Sequence, residues 1–329
     1  MSTFQDRHRS DFDWNNGGLG SFADILWRDH AGDTVLWLMN NNTPEIGGVA
    51  TLPFVPPDWH VKAAADFDGF SGAGSTSGAA DILWQNDNGG LALWRMEGEV
   101  VAAIQALPNP GPTWHVVGDN DFNNGFADGI LFQNDNGALA IWTFAGEQIS
   151  GTFTGTQNPG PTWHVVGTGD TNNDGSAGIL WQNNNGALVM WEKPTFGAGT
   201  FTFTTVAALP TVDASWHVKG MADLNGDFRA DIVFQNDNGA VVVWEMGGFD
   251  GTAINAVNLI NLNPGPAWHV AGLRDMDNDQ HIDILFQNDN GAAAVWEDYR
   301  LLGVGHATFD TVLPIDPNPN PNGHVWDLL

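Results

Sequence analysis

Short apolar runs alternate with clusters of Asp, Asn and Gly along nearly the whole chain. One stretch reads Asp231-Ile-Val-Phe-Gln235-Asn-Asp-Asn-Gly239, followed by Ala240-Val-Val-Val-Trp244. Two β-favouring runs flank a polar turn whose Asn and Gly tolerate positive φ, so the stretch predicts two antiparallel strands and their hairpin. A Trp-His-Val run predicts a strand before the pair, and Thr- and Val-bearing runs such as 200–206 predict one after it. A Pro-rich link follows, as in Asn109-Pro110-Gly111-Pro112. No segment combines a helical apolar period with capping residues, so no helix is expected.

The pattern is one unit repeated. The phrase typified by Asp-Ile-Leu-Trp-Gln-Asn-Asp-Asn-Gly starts at Asp24, Asp81, Gly129, Gly178, Asp231 and Asp283, and a Trp follows thirteen residues after each start. Trp-His-Val starts at Trp59, Trp114, Trp163, Trp216 and Trp268, with a Trp-less copy at Gly323-His324-Val325. The two series are offset: the first phrase has no Trp-His-Val before it, and the last His-Val has nothing after it. Four strands repeated six times predict an all-β fold, a six-bladed β-propeller of four-stranded antiparallel blades. The offset predicts closure, with a C-terminal strand completing the first blade and covering an otherwise open sheet edge. One domain, 1–329, is expected, its first blade built from 1–52 plus 323–329. An open β-solenoid is the alternative, and it leaves the complementary half-units unexplained.

Composition narrows the function. With 10 Lys+Arg against 39 Asp+Glu, the formal charge is −29. Such a surface repels polyanions, so no nucleic-acid partner is expected. The longest apolar runs, such as 240–244, fall far short of the roughly 20 residues that span a bilayer, so no membrane insertion is expected. Cys is 0, which removes disulfides and thiolate chemistry. The opening residues, Met1 to Asp13, carry no apolar secretory core.

The acid concentrates in loops that begin seven residues after the Trp of Trp-His-Val, at Asp66, Asp121, Asp170, Asp223 and Asp275. In the fifth blade Asp223, Asn225, Asp227 and Asp231 place oxygens at positions 1, 3, 5 and 9, and in the sixth Asp275, Asp277, Asp279 and Asp283 do the same. Alternating oxygens in a short loop suit Ca²⁺, which takes six to eight oxygen ligands in flexible geometry. The fourth loop keeps Asp170, Asn172 and Asp174 but has Gly178 at position 9, so it is expected to bind more weakly. The third has Gly125 and Gly129 at positions 5 and 9, and the first two are out of register. The competing reading is that Asp, Asn and Gly simply build turns.

Asp-x-Asn-Gly-Asp-x-x-x-Asp followed by Ile-Val-Phe resembles the FG-GAP or VCBS-type repeat of integrin-like β-propellers. That resemblance implies structural Ca²⁺ in these loops, with the ligands just named. It fixes no activity, because related propellers serve as adhesion receptors and as sugar-binding lectins.

The opposite rim gathers the hairpin amides beside a Trp and a His at each blade junction. These are Gln85, Asn86, Trp114 and His115; Gln133, Asn134, Trp163 and His164; Gln182, Asn183, Trp216 and His217; Gln235, Asn236, Trp268 and His269; and Gln287 with Asn288. Amides pair with sugar hydroxyls, and an indole covers the apolar face of a pyranose. Repeated weak pockets gain avidity from multivalency. The first blade departs, with Arg28, Asp29, His30 and Ala31, and is expected to lack the pocket. The alternative is structural: the hairpin turns well, Trp wedges between blades, and His bonds backbone. No motif for a hydrolase or phosphate-handling site stands out, so no enzyme is expected. The expected function is a carbohydrate-binding lectin at the cell exterior or surface, with glycans as partners; an adhesion or scaffold propeller with a protein partner is the alternative.

Overall fold

The computed structural model describes residues 24–40, 43–67, 80–125, 127–145, 148–276, 281–303, 305–315 and 326–328. Its elements are 24 strands, with no helix among the described residues. The first unit holds β1 (Ile25–Asp29), β2 (Thr34–Asn40) and β3 (Thr43–Thr51), joined by β24 (Trp326–Leu328) in the order β24-β1-β2-β3. The second is β4 (Trp59–Ala65), β5 (Asp81–Asn86), β6 (Leu91–Glu97) and β7 (Val100–Leu107). The third is β8 (Trp114–Asn120), β9 (Gly129–Asn134), β10 (Leu139–Ala145) and β11 (Gln148–Gly155). Next come β12 (Trp163–Gly169), β13 (Gly178–Asn183), β14 (Leu188–Phe196) and β15 (Thr200–Leu209). The fifth is β16 (Trp216–Ala222), β17 (Asp231–Asn236), β18 (Val241–Gly247) and β19 (Ala253–Ile260). The last is β20 (Trp268–Arg274), β21 (Asp283–Asn288), β22 (Ala293–Gly303) and β23 (His306–Ile315).

Burial follows strand position. Every residue of β5 is buried, whereas exposed and half-buried residues alternate along β11. A strand covered on both faces must be apolar throughout, while a peripheral strand need bury only one face. Apolar clusters fill the seams between successive units. Trp84 and Trp94 pack with Leu26 and Leu36, for example, and Phe132 and Trp142 pack with Leu83 and Leu93. A further cluster joins the sixth unit to the first, through Leu285 and Val295 against Trp27 and Trp37. At each seam the Trp of the third strand meets an aromatic of the second, as in Trp84–Trp94 at 5.0 Å and Phe286–Trp296 at 4.4 Å between centroids. The result is an all-β, propeller-like arrangement of repeated units. The tail pairs with β1 in the register Trp27↔Leu328, Arg28↔Asp327 and Asp29↔Trp326. Gly323, His324 and Val325 lie outside the described residues.

The four-stranded units are not all separate sheets, as the repeat alone would have them. β15 and β23 start earlier than their counterparts, and their first residues pair in parallel with the preceding unit: Thr154↔Thr200 and Gly155↔Phe201, then Leu259↔His306 and Ile260↔Ala307. Two eight-stranded sheets result. The extensions bury Phe201, Phe203, Ala307 and Phe309, which gives the longer hairpins their apolar support.

One polar bridge also crosses a seam. Asn258 Nδ2 donates to Glu245 Oε1 at 2.8 Å and to the Tyr299 hydroxyl at 3.2 Å, and that hydroxyl donates to Glu245 Oε1 at 3.2 Å. Burial, then the Glu245 charge, raises the Tyr299 phenol above its ordinary value. A raised pKa favours the protonated phenol in the fold. The stability it contributes is therefore complete below the ordinary tyrosine pKa of about 10 and is lost as pH climbs through the folded value. The chain has 1 Tyr, so phenolate absorbance reports this group alone. The native protein should titrate above pH ~10 and the denatured chain near it. Coincident titrations would show that the bridge is absent.

Candidate functional site

Antiparallel strands divide the loops between two rims. The hairpin between the second and third strands shares one rim with the link to the next unit. The acidic loop between the first and second strands lies on the other.

On the hairpin rim an exposed pair recurs. His60 Nε2 lies 2.8 Å from Asp87 Oδ1, and His115, His217 and His269 lie 2.7 Å from Asp135, Asp237 and Asp289. In the fourth unit Asn184 Oδ1 takes the carboxylate's place, 2.8 Å from His164. About half of the His115 side chain (53%) and 62% of Asp135 stay open to solvent. A half-buried Trp precedes each His: Trp59, Trp114, Trp163, Trp216 and Trp268, with Trp59 packed on the seam between the first two units. The sequence reading included four of these His but missed their partners. A constant offset of 20 residues from His115, His164, His217 and His269 was the available signal.

The glutamines point elsewhere. Gln85 Nε2 donates to Trp114 O at 2.7 Å, and Gln85 Oε1 accepts from Val116 N at 3.0 Å. Gln133 does the same with Trp163 O and Val165 N, and Gln235 with Trp268 O and Val270 N. Both ends of each amide therefore clamp the first strand of the next unit, and the three side chains are 4%, 8% and 3% exposed. Gln182 and Gln287 are half-buried. In the first unit Arg28 replaces the amide, donating to Trp59 O, to Val55 O at 3.1 Å and to Pro56 O at 2.7 Å. The expected departure at Arg28 is thus a change of clamp.

The asparagines build the hairpins. Asn86, Asn134, Asn183, Asn236 and Asn288 each accept, through Oδ1, the backbone N–H two residues on. Asn86 Nδ2 also donates to Asp58, and Asn134, Asn183 and Asn236 donate to Thr113, Thr162 and Ser215. The turn glycines meet a double demand. At Gly89 and Gly239, φ is +86° and +93°, and a Cβ would stand 2.3 Å from the carbonyl oxygens of Gly111 and Gly265. Only glycine lets the link lie this close to the hairpin.

On the opposite rim, in the fifth unit, Asp223 accepts the N–H groups of Gly226 (2.8 Å), Asp227 (3.1 Å) and Phe228 (2.7 Å). Asn225 and Asp227 each accept a loop N–H in turn. Asp231 is fully buried and accepts Met246 N at 3.0 Å and Leu224 N at 3.3 Å. Burial first, and the charges of Asp223 and Asp227 after it, push its carboxyl up to about 8. In the fourth unit Asp170 accepts the N–H groups of Asn172, Asp174 and Gly175. In the sixth, Asp283 is buried and accepts Met276 N at 2.7 Å, with Asp275 heading the loop; Asp277 and Asp279 lie outside the described residues. The loops are stitched to their neighbours: Asp128 N, Ala177 N and Ala230 N donate to Asp66 O, Asp121 O and Asp170 O. No group of three or more His, Asp or Glu poised on one metal point occurs among the described residues.

A cavity of about 220 Å³ opens where first strands converge, lined by Asp24, Lys62, Asp119 and Arg274 among others. Its two basic and two acidic residues leave no charge preference for a ligand.

No known family's sequence profile matches the chain, and no curated protein matches it. Among solved structures it is similar to Raptor from Chaetomium thermophilum, at 10% identity and a TM-score of 0.47. That similarity covers 94% of this chain, which spans 26% of the Raptor chain.

Proposed function

We propose that this chain is a six-bladed β-propeller, closed by its tail strand, that binds carbohydrate at repeated sites on the hairpin rim. The observation carrying this reading is the fivefold recurrence of an exposed His–Asp or His–Asn pair beside a half-buried Trp. Imidazole and carboxylate together offer a donor and acceptors to adjacent sugar hydroxyls, and an indole face suits a pyranose C–H face. The polar contacts pass from the glutamines, whose amides clamp neighbouring units, to His115, His164, His217, His269, His60 and their partners. A feature copied around a ring favours multivalent binding over a single catalytic centre. The reading places the protein at the cell exterior or surface.

A glycan array followed by calorimetry tests it. Several equivalent sugars per chain are expected. Replacing His60, His115, His164, His217 and His269 together by Ala should abolish measurable binding, while any one of these changes should leave the melting temperature nearly unchanged, since an exposed pair of this kind contributes about 0–1 kcal/mol. Silence across a broad array would sink the lectin reading.

A protein partner is the second reading, favoured by exposed apolar residues repeated on the outermost strands. Val49, Ile104, Val206, Val257 and Val312 are 59%, 60%, 54%, 48% and 49% exposed, and each pairs across from the third-strand Trp of its unit. One partner per chain, with no sugar bound, would support it.

The acidic rim fits Ca²⁺ best in the fifth unit. Asp231 is a buried carboxyl crowded by Asp223 and Asp227, and a divalent cation would supply the missing counter-charge. Asp223, Asn225, Asp227 and Asp231 would hold it, with Asp275, Asp277, Asp279 and Asp283 as the sixth-unit set. The ion's role is to fasten the loop. Stripping with chelator should lower the melting temperature and added Ca²⁺ should restore it; an unchanged melting curve would leave the loops as turns alone.

A further inference from the structure

Gly178 stands where the fifth unit has Asp231, and this is why the fourth loop reads as incomplete. The space beside Gly178 is nevertheless filled. A Cβ on Gly178 would lie 2.2 Å from Glu192 Oε1 and 2.5 Å from Oε2. The carboxylate of Glu192, carried by β14, therefore sits where an aspartate side chain at 178 would project.

The likeness extends to its partners. Asp231 accepts the N–H of Met246, fifteen residues on. The residue fifteen beyond Gly178 is Lys193, the immediate neighbour of Glu192 on β14. Asp231 feels the charges of Asp223 and Asp227; Glu192 feels those of Asp170 and Asp174, the same two loop positions. Glu192 is fully buried, with Thr171 Oγ1 donating to Oε1 and Asn172 Nδ2 donating to Oε2 at 3.2 Å. Asn172 is 7% exposed, and its Oδ1 has no hydrogen-bond partner. An unsatisfied buried acceptor of this kind costs about 1–3 kcal/mol unless something binds it.

We propose that Glu192 supplies from the third strand the carboxylate that the loop lacks at Gly178, so that Asp170, Asn172, Asp174 and Glu192, whose carboxylates are not gathered on one point in this structure, would close together on Ca²⁺. The inference rests on the calcium reading of the fifth loop and goes beyond it, because it makes the fourth loop a full site rather than a weakened one.

Calorimetric titration of the chelator-stripped full chain with Ca²⁺ alone tests this, using the parent, E192Q, D231N and the double variant G178D/E192A. Glu192→Gln is close in shape and keeps oxygen and nitrogen within the Thr171–Asn172 pocket. Both E192Q and D231N should lose one bound ion, or at least tenfold in affinity at one site. G178D/E192A moves the carboxylate back to the loop and should regain the ion, and it carries the test if E192Q does not fold. Loss of an ion in D231N alone, with E192Q indistinguishable from the parent, would leave Glu192 as a buried structural acid and overturn the proposal. A parent that binds no Ca²⁺ would remove the calcium reading itself, and this proposal with it.

Discussion

Truncation before Trp326 is expected to lower the melting temperature sharply and to make the protein associate. Three residues of β24 pair with β1, and β1 lies between that strand and β2. Without β24, the backbone groups of Trp27 to Asp29 face open space on one side, although Trp27 and Asp29 are buried at 0% and 3%. Each lost backbone bond costs about 1 kcal/mol, and an orphaned buried group costs about 1–3 kcal/mol, so the loss should reach several kcal/mol. It should be larger than the bond count alone implies. The seam cluster between the last and first units, with Trp27, Trp37, Leu285 and Val295, depends on β1 staying in register. An exposed strand edge is also a template for another chain. Calorimetry and light scattering would read both effects. A truncated chain that melts like the parent and stays monomeric would show that the ring does not close through this strand.

Gln235→Ala is expected to destabilise the protein by about 2–4 kcal/mol, since it strands a carbonyl and an N–H in a seam. The amide accepts from Val270 N at 2.9 Å and donates to Trp268 O at 2.8 Å, and the side chain is 3% exposed. The matched comparison is His217→Ala in the same unit. His217 is exposed and pairs with Asp237 at 2.7 Å, so its removal should shift stability by less than about 1 kcal/mol. The two variants should also separate on ligand: His217→Ala weakens sugar binding, whereas Gln235→Ala acts through stability. A Gln235→Ala protein that melts like the parent but loses sugar would reverse the roles given to these side chains.

Much of the architecture is visible in the repeat. The hairpin Asn-Asp-Asn-Gly, the buried second strand and the third-strand Trp each occupy the predicted place, because turn chemistry and alternation are local properties. The Asn of each hairpin follows from the same local rule: it folds back on its own turn. The candidate site was less legible. Gln85, Gln133 and Gln235 look, in one dimension, like polar side chains offered on a rim. Their partners are roughly 30 residues away in the next unit, as the separations of 31, 32 and 35 to Val116, Val165 and Val270 show. Only docked units bring those backbone groups within reach. The His–Asp offset was present in the sequence, yet a fixed spacing does not say that the two side chains point toward each other.

The chain by itself determined the strand unit, its number of copies, its turn residues and the acid-rich loops, all set by short-range alternation and by the φ preferences of Asn and Gly. The tertiary structure decided what long-range approach alone can decide. It turned the glutamines inward as clamps and left the histidines exposed. It joined β15 and β23 to their neighbours in parallel, and it put Glu192 into the space beside Gly178. Each of these depends on which backbone and side-chain atoms meet across a seam, and residues from separate units acquire a common environment only when the units pack.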